Sequence, residues 1–216
     1  MVSANIEHYL KAIYEQRGKD QVVPLPALAK YLSISMVSVN EMVKKLVKRG
    51  LITYEPYKGV VLTPEGRTQA VTVIRRHRLW ERFLADVLGL GWDQVHAEAC
   101  RLEHATSALV EEHLAQFLGW PETCPHGYPV PTPEGEIAHK VTLPLSDLEP
   151  GQRGIVLRVP EVPEILQYLG ELKVALQTEI KVESVAPFEG PLTVQVGDAQ
   201  HVMGRQVASQ VRVRLL

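Results

Sequence analysis

A chain of 216 residues with 45% hydrophobic and 22% charged positions can bury a sizeable core, and its composition is that of an ordinary soluble protein. The net charge of −2 excludes a polycation, so any grip on nucleic acid has to come from a local patch, and two cysteines exclude a disulfide framework and point to a reducing compartment. The first sixteen residues hold neither a basic run nor a long apolar stretch, which predicts a cytosolic protein with no signal peptide and no membrane span.

In chain order, residues 4–16 carry Ile6, Leu10, Ile13 and Tyr14 at helical spacing, with Ser3 as the expected N-cap. Pro24 and Pro26 open a short helix over 27–32, and a longer one runs from 36 to 48 and stops at Gly50, a residue suited to the left-handed position that ends helices. Two β-rich runs, 51–54 and 60–63, flank a Pro/Gly turn and read as a hairpin. That order is a winged helix-turn-helix. A long helix starts at Pro64, its stripe made by Ala70, Val73, Ile74, His77, Trp80, Glu81, Leu84 and Val87. A second is predicted over 92–118 as one element, with Val95, Ala99, Leu102, Leu109, Val110 and Phe117 on its apolar face. Residues 119–135 are dense in Pro and Gly and form a linker, after which β-branched runs alternate with turns around a short helix at 161–170. The expected fold is mainly α with a β C-terminal domain: a winged helix-turn-helix over 1–63, a helical domain over 64–140 and a small SH3-like β-barrel over 141–216.

The chemistry concentrates in the helical domain. His96, Cys100 and His104 are successive i, i+4 neighbours on the predicted second helix, and Glu103 stands beside them. Two imidazoles, a thiol and a carboxylate make a transition-metal ligand set. His77 and Glu81 occupy stripe positions where an apolar residue would pack best; as a lone pair they would read as a surface ion pair, but six ligand-type residues on adjacent helices favour metal. Cys124 and His126 form a Cys-x-His in the Pro-rich linker, where two residues alone cannot fill a coordination sphere, so no metal is expected there.

The segments RRHRLWERFL, VHAEACRLEH and PHGYPVP resemble the diphtheria toxin repressor family of iron- and manganese-dependent transcriptional regulators. EHYLKAIY is similar to that family's first helix, LITYEPYKGVVLTPEGR to its wing, and LSDLEPGQRGIVLRV onward to the SH3-like, FeoA-type domain of its longer members. The resemblance implies two metal sites per subunit for Fe(II) or Mn(II). A primary site would use His8, Cys100, Glu103 and His104; an ancillary site would use His77, Glu81 and His96, with Glu161 and Glu164 from the terminal domain. His8 stands where the family commonly has Met or Asp. The softness of a Cys100 thiolate leans towards Fe(II) over Mn(II).

The resemblance further implies a homodimeric repressor that binds palindromic double-stranded operator DNA and controls metal-homeostasis genes, and no enzymatic activity. The recognition helix would begin near Ser35, with Val37, Ser38, Asn40 and Glu41 towards the major groove, Lys44 and Lys45 nearer phosphates, and Tyr57 and Lys58 on the wing. Two alternatives stay open at this point. A metalloenzyme could use the same His, Glu and Cys residues, though no HExxH motif occurs, and a metal-independent winged-helix protein could use its central helices for dimerisation alone.

Overall fold

The computed structural model describes residues 3–18, 20–138 and 140–216. It divides into two compact units, one of Met1–His77, Arg101–Ser107 and Pro131–Ile137, the other of Arg78–Cys100, Ala108–Val130 and Ala138–Leu216. Among the described residues no helix is long and apolar enough to cross a membrane.

The first unit opens with three helices, α1 (Ala4–Gln16), α2 (Leu25–Leu32) and α3 (Met36–Lys48), and the hairpin β1 (Ile52–Glu55) with β2 (Gly59–Leu62). Ile6, Leu10 and Ile13 of α1 pack with Leu28, Val39, Leu46, Ile52 and Val60 in one buried cluster. Each such fully buried aliphatic side chain contributes about 1.5–3 kcal/mol. Ser3 precedes α1 but its side chain makes no capping bond, whereas Ser35 caps α3 by accepting from the Ser38 backbone N–H. Helix α2 starts two residues earlier than expected, because Pro26 is tolerated in a helix's first turn. Gly59 lets the wing close on the core: a Cβ there would stand 2.3 Å from the Val23 carbonyl oxygen.

The long helix α4 (Pro64–Asp86) follows, then α5 (Val95–Leu102), a 3-10 turn (Glu103–Ala105) and α6 (Ala108–Phe117). The single helix expected over 92–118 is therefore broken. Thr106 is extended, with φ −81° and ψ 119°, and the tighter 3-10 turn before it rotates Glu103 and His104 out of register with α5. The apolar face expected for that helix also divides: Val95 and Ala99 are buried, while Leu109, Val110 and Phe117 are exposed.

The remainder of the second unit is built on a six-stranded antiparallel sheet. It comprises β3 (Leu143–Pro144), β4 (Arg153–Arg158), β5 (Glu179–Val185), β6 (Leu192–Val196), β7 (Ala199–Met203) and β8 (Arg212–Leu215), in the order β3-β8-β4-β5-β6-β7. Helix α7 (Pro163–Glu171) packs Leu166 and Leu169 into the sheet's apolar core with Val156, Ile180, Val194 and Val213. Because α7 begins at Pro163 with Val162 as its cap, Glu161 lies outside the helix. Glu164 alone of the two expected carboxylates lies on α7.

Candidate metal centres and nucleic-acid interface

In the first unit, α1 and the 3-10 turn bring His8, Glu103 and His104 together, one ligand atom of each lying within 4.8 Å of the others. His104 Nδ1 is 2.8 Å from Glu7 Oε2. A carboxylate only accepts, so Nδ1 carries the proton and Nε2 presents its lone pair. That Nε2 faces Glu103 Oε1 at 3.3 Å. Two acceptor atoms so spaced suit a divalent cation, since ligands about 2.1 Å from a metal stand roughly 3.0–3.4 Å apart. Glu103 Oε1 accepts no hydrogen bond among the described residues, although the side chain is fully buried. The other oxygen, Oε2, takes Lys11 Nζ at 2.8 Å and His77 Nδ1 at 2.6 Å. Burial works to raise the Glu103 pKa, but the His77 hydrogen bond and the Lys11 charge outweigh it and hold the carboxyl below its usual range. Burial and the Lys11 charge lower the His8 pKa, leaving a neutral imidazole ready to ligate.

A second cluster forms within the second unit from Glu81 on α4, Cys124 and His126 in the linker, and Glu161 between β4 and α7. The Cys124–Gly127 turn is held by Gly127 N–H donating to the Cys124 carbonyl at 2.9 Å and Cys124 N–H donating to the Tyr128 carbonyl at 2.9 Å. Gly127 is required: its φ is +86°, and a Cβ would stand 1.9 Å from the Leu157 carbonyl oxygen. His126 Nε2 lies 2.7 Å from the Trp92 carbonyl oxygen, which again fixes the proton on that nitrogen. Nδ1 therefore points at Glu81 Oε1, 3.3 Å away, and Glu161 Oε1, 3.8 Å away. His96 on α5 adds a second imidazole, its Nδ1 3.3 Å from Glu81 Oε1 and 3.2 Å from Glu161 Oε2, with Cys100 Sγ 3.8 Å from its Nε2. Burial pushes the Cys124 thiol pKa up. Burial disfavours charge on both imidazoles, yet the surrounding hydrogen bonds prevail and raise the pKa of His126 and of His96, the latter to about 12. Thiol, imidazoles and two carboxylates at these spacings fit a transition-metal ion.

Helix α3 presents the third surface. Ser35, Val37, Ser38, Asn40, Glu41, Lys44 and Lys45 are all exposed, as are Tyr57 and Lys58 at the wing tip. Asn40 donates to the Met36 carbonyl at 2.9 Å, and Lys58 pairs with Glu55 at 2.6 Å. Lys48 and Arg49 extend the positive charge at the end of α3.

The model of the iron-dependent repressor N-terminal DNA-binding domain matches residues 1–60, that of the iron-dependent repressor metal-binding and dimerisation domain 63–132, and that of the FeoA domain 143–215. The iron-dependent repressor IdeR of Mycobacterium leprae is 34% identical over 205 residues, which cover 91% of this chain and 86% of that one. The chain belongs to the diphtheria toxin repressor family. The Corynebacterium glutamicum diphtheria toxin repressor is 41% identical over 126 residues, 58% of this chain and 55% of that one. A solved manganese-dependent transcriptional repressor in complex with manganese superposes with a TM-score of 0.90 at 31% identity, covering 98% of this chain and all of that one.

Several of the expected ligands lie together. His8, Glu103 and His104 converge, and Glu81, His96 and Glu161 converge. Cys100, expected with Glu103, sits beside His96 in the second unit. His77 has Nδ1 on Glu103 Oε2. Glu164 is exposed on α7 and joins neither cluster among the described residues. Sequence reasoning missed four residues. Glu7 and Lys11 lie on the α1 face that carries His8, and that shared face was the signal available. Cys124 and His126 were discounted for want of further ligands, which Glu81 and Glu161 supply only through the fold.

Proposed function

We propose that the chain is a metal-dependent transcriptional repressor whose primary centre is His8, Glu103 and His104. The observation that carries this reading is the convergence of an α1 imidazole with two donors from the 3-10 turn, nearly a hundred positions away, the two turn donors each oriented by a partner of its own. A divalent cation held by these residues would supply positive charge that ties α1 to the turn. Helix α1 packs with α2 and α3 in one core, so its position biases where α3 and the wing stand. Differential affinity for one arrangement is what shifts such an equilibrium. Glu81, Cys124, His126 and Glu161, with His96 alongside, form the ancillary centre, giving two ions per subunit. Iron and manganese, the metals named for the relatives, suit the all-nitrogen-and-oxygen primary set.

The α3 and wing side chains would contact operator DNA, with Ser38 and Asn40 towards base edges and Lys44, Lys45 and Lys58 towards phosphates. One such helix reads too few base pairs for a specific site, so the reading unit is a homodimer on a palindrome. The exposed apolar face of α6, Leu109, Val110 and Phe117 with Phe83, is the surface we assign to the dimer. The three functional segments would be 1–63 for DNA, 64–140 for metal and dimerisation and 141–216 for the FeoA-type domain, acting in the cytoplasm. The test is selection of duplex DNA from a random library with Mn(II), then titration of His104→Ala on the winning sequence. Loss of metal-dependent binding by a folded variant is expected; parental binding would refute the primary centre.

A further inference from the structure

Lys11 is the member of the first cluster that metal binding leaves unexplained. Only 4% of this lysine is exposed, and an ammonium is seldom buried so deeply without a dedicated anion. Its anion is Glu103, itself fully buried. The two oxygens of that carboxylate are divided between two tasks. Oε1 faces His104 Nε2 at 3.3 Å. Oε2 is held by Lys11 Nζ at 2.8 Å and His77 Nδ1 at 2.6 Å. A carboxylate oxygen has two lone pairs, and two N–H donors at these distances occupy both.

We propose that Lys11 is a resident monocation that closes the Oε2 side of Glu103 and so makes this centre a one-ion site of moderated affinity. The inference rests on the reading of His8, Glu103 and His104 as metal ligands. A second divalent ion beside Oε2 would meet a fixed positive charge and an oxygen with no lone pair to give. The ion on the Oε1 side shares its carboxylate with the same ammonium, which weakens its hold by like-charge repulsion across a poorly screened interior. Lys11 also ties α1 to the 3-10 turn without metal, since the ion pair joins residues 92 positions apart. The ligand atoms are thereby kept close before an ion arrives, and metal completes a site that is already partly drawn together.

The experiment uses the full chain, with manganese counted per chain after equilibrium dialysis, affinity measured by calorimetry, and Mn(II) paramagnetic resonance recorded at saturation. Replacing Lys11 by Met removes the charge and keeps most of the length, and should tighten the His104-dependent site about tenfold or more. Lys11→Arg keeps the charge and should stay near the parent. Lys11→Glu supplies a carboxylate where the ammonium stood and should add one ion per chain, seen as a spin-coupled manganese pair. Should the Met variant unfold without metal, the Arg and Glu variants carry the test by ion count alone. A Lys11→Met protein that binds manganese no more tightly than the parent overturns the proposal, as does an unchanged count in Lys11→Glu. A His104→Ala chain that keeps every ion sinks the metal reading itself; one that loses an ion while Lys11→Met is unchanged sinks only the role of Lys11.

Discussion

Replacing Glu7 by Ala tests how far the primary centre depends on a residue that touches no metal. Glu7 Oε2 accepts from His104 Nδ1 at 2.8 Å, and both side chains are 16% exposed, so the bond is partly sheltered from water. A charge-assisted hydrogen bond of this kind contributes about 1.5–3 kcal/mol, against about 0.5–1.5 kcal/mol for a neutral one. Without Glu7 the imidazole is free to turn or to move its proton to Nε2, the nitrogen that faces Glu103. Partners of ligating histidines typically cost about 10–100-fold in metal affinity when removed. Glu7→Ala should fall in that range, and Glu7→Gln, which still accepts from Nδ1 but without charge, should lose only about fivefold, the difference between the two bond classes being about 1 kcal/mol. Calorimetry with Mn(II) at fixed pH gives both affinities, and circular dichroism with thermal melts checks that the fold survives. If Glu7→Ala binds at the His104-dependent site with parental affinity, the assignment of the Nε2 lone pair to the metal is wrong.

Changing Cys124 and His126 together to Ala should remove the ancillary ion and leave the primary one, which metal counting per chain will show. The pH dependence of the two centres should differ. His126 and His96 have raised pKa values and Cys124 a raised thiol, so binding at the ancillary centre must expel protons. Its apparent affinity should rise with pH by roughly tenfold per unit for each proton released, whereas His8, with its lowered pKa, adds no such dependence at the primary centre near neutrality. The same raised imidazole pKa values stabilise the metal-free fold fully below the ordinary His value near 6.5, and that contribution declines as pH climbs towards the folded values, so melting temperatures should fall as ancillary affinity grows. Phe117→Asp, at a residue 67% exposed on α6, should yield monomers by light scattering and weaken operator binding at least about tenfold, because one half-site is too short to hold specifically.

The winged helix was legible because its core follows helical spacing closely: Ile6, Leu10 and Ile13 are buried as their positions in α1 imply, and Gly50 takes φ +69° at the end of α3. The break at Thr106 was signalled only by Thr106-Ser107, residue types that favour a helix N-cap, ahead of α6 at Ala108. Its cause is tertiary: Glu103 is drawn to Lys11 and His77, and the helix gives up its register to deliver it. The grouping of Cys124 and His126 with Glu81 and Glu161 was hidden for a related reason. A two-residue motif has no meaning until Gly127 folds the linker against β4 and brings Glu161 beside it. Ligands held by helix spacing can be read from a sequence; ligands recruited across it cannot.

The separation of His8 from His104 also sets an order in time. At about 5–20 residues per second, α1 leaves the ribosome roughly 5–20 s before the 3-10 turn that completes its centre. The core around α1 draws on residues 6 to 74, together with Ile137 at its margin, so nearly all of it is present during that interval. The winged helix can therefore begin to fold before its primary centre is complete. Metal would then act on a unit whose core is already in place, favouring one arrangement of it, and not as the folding template it is in small zinc domains.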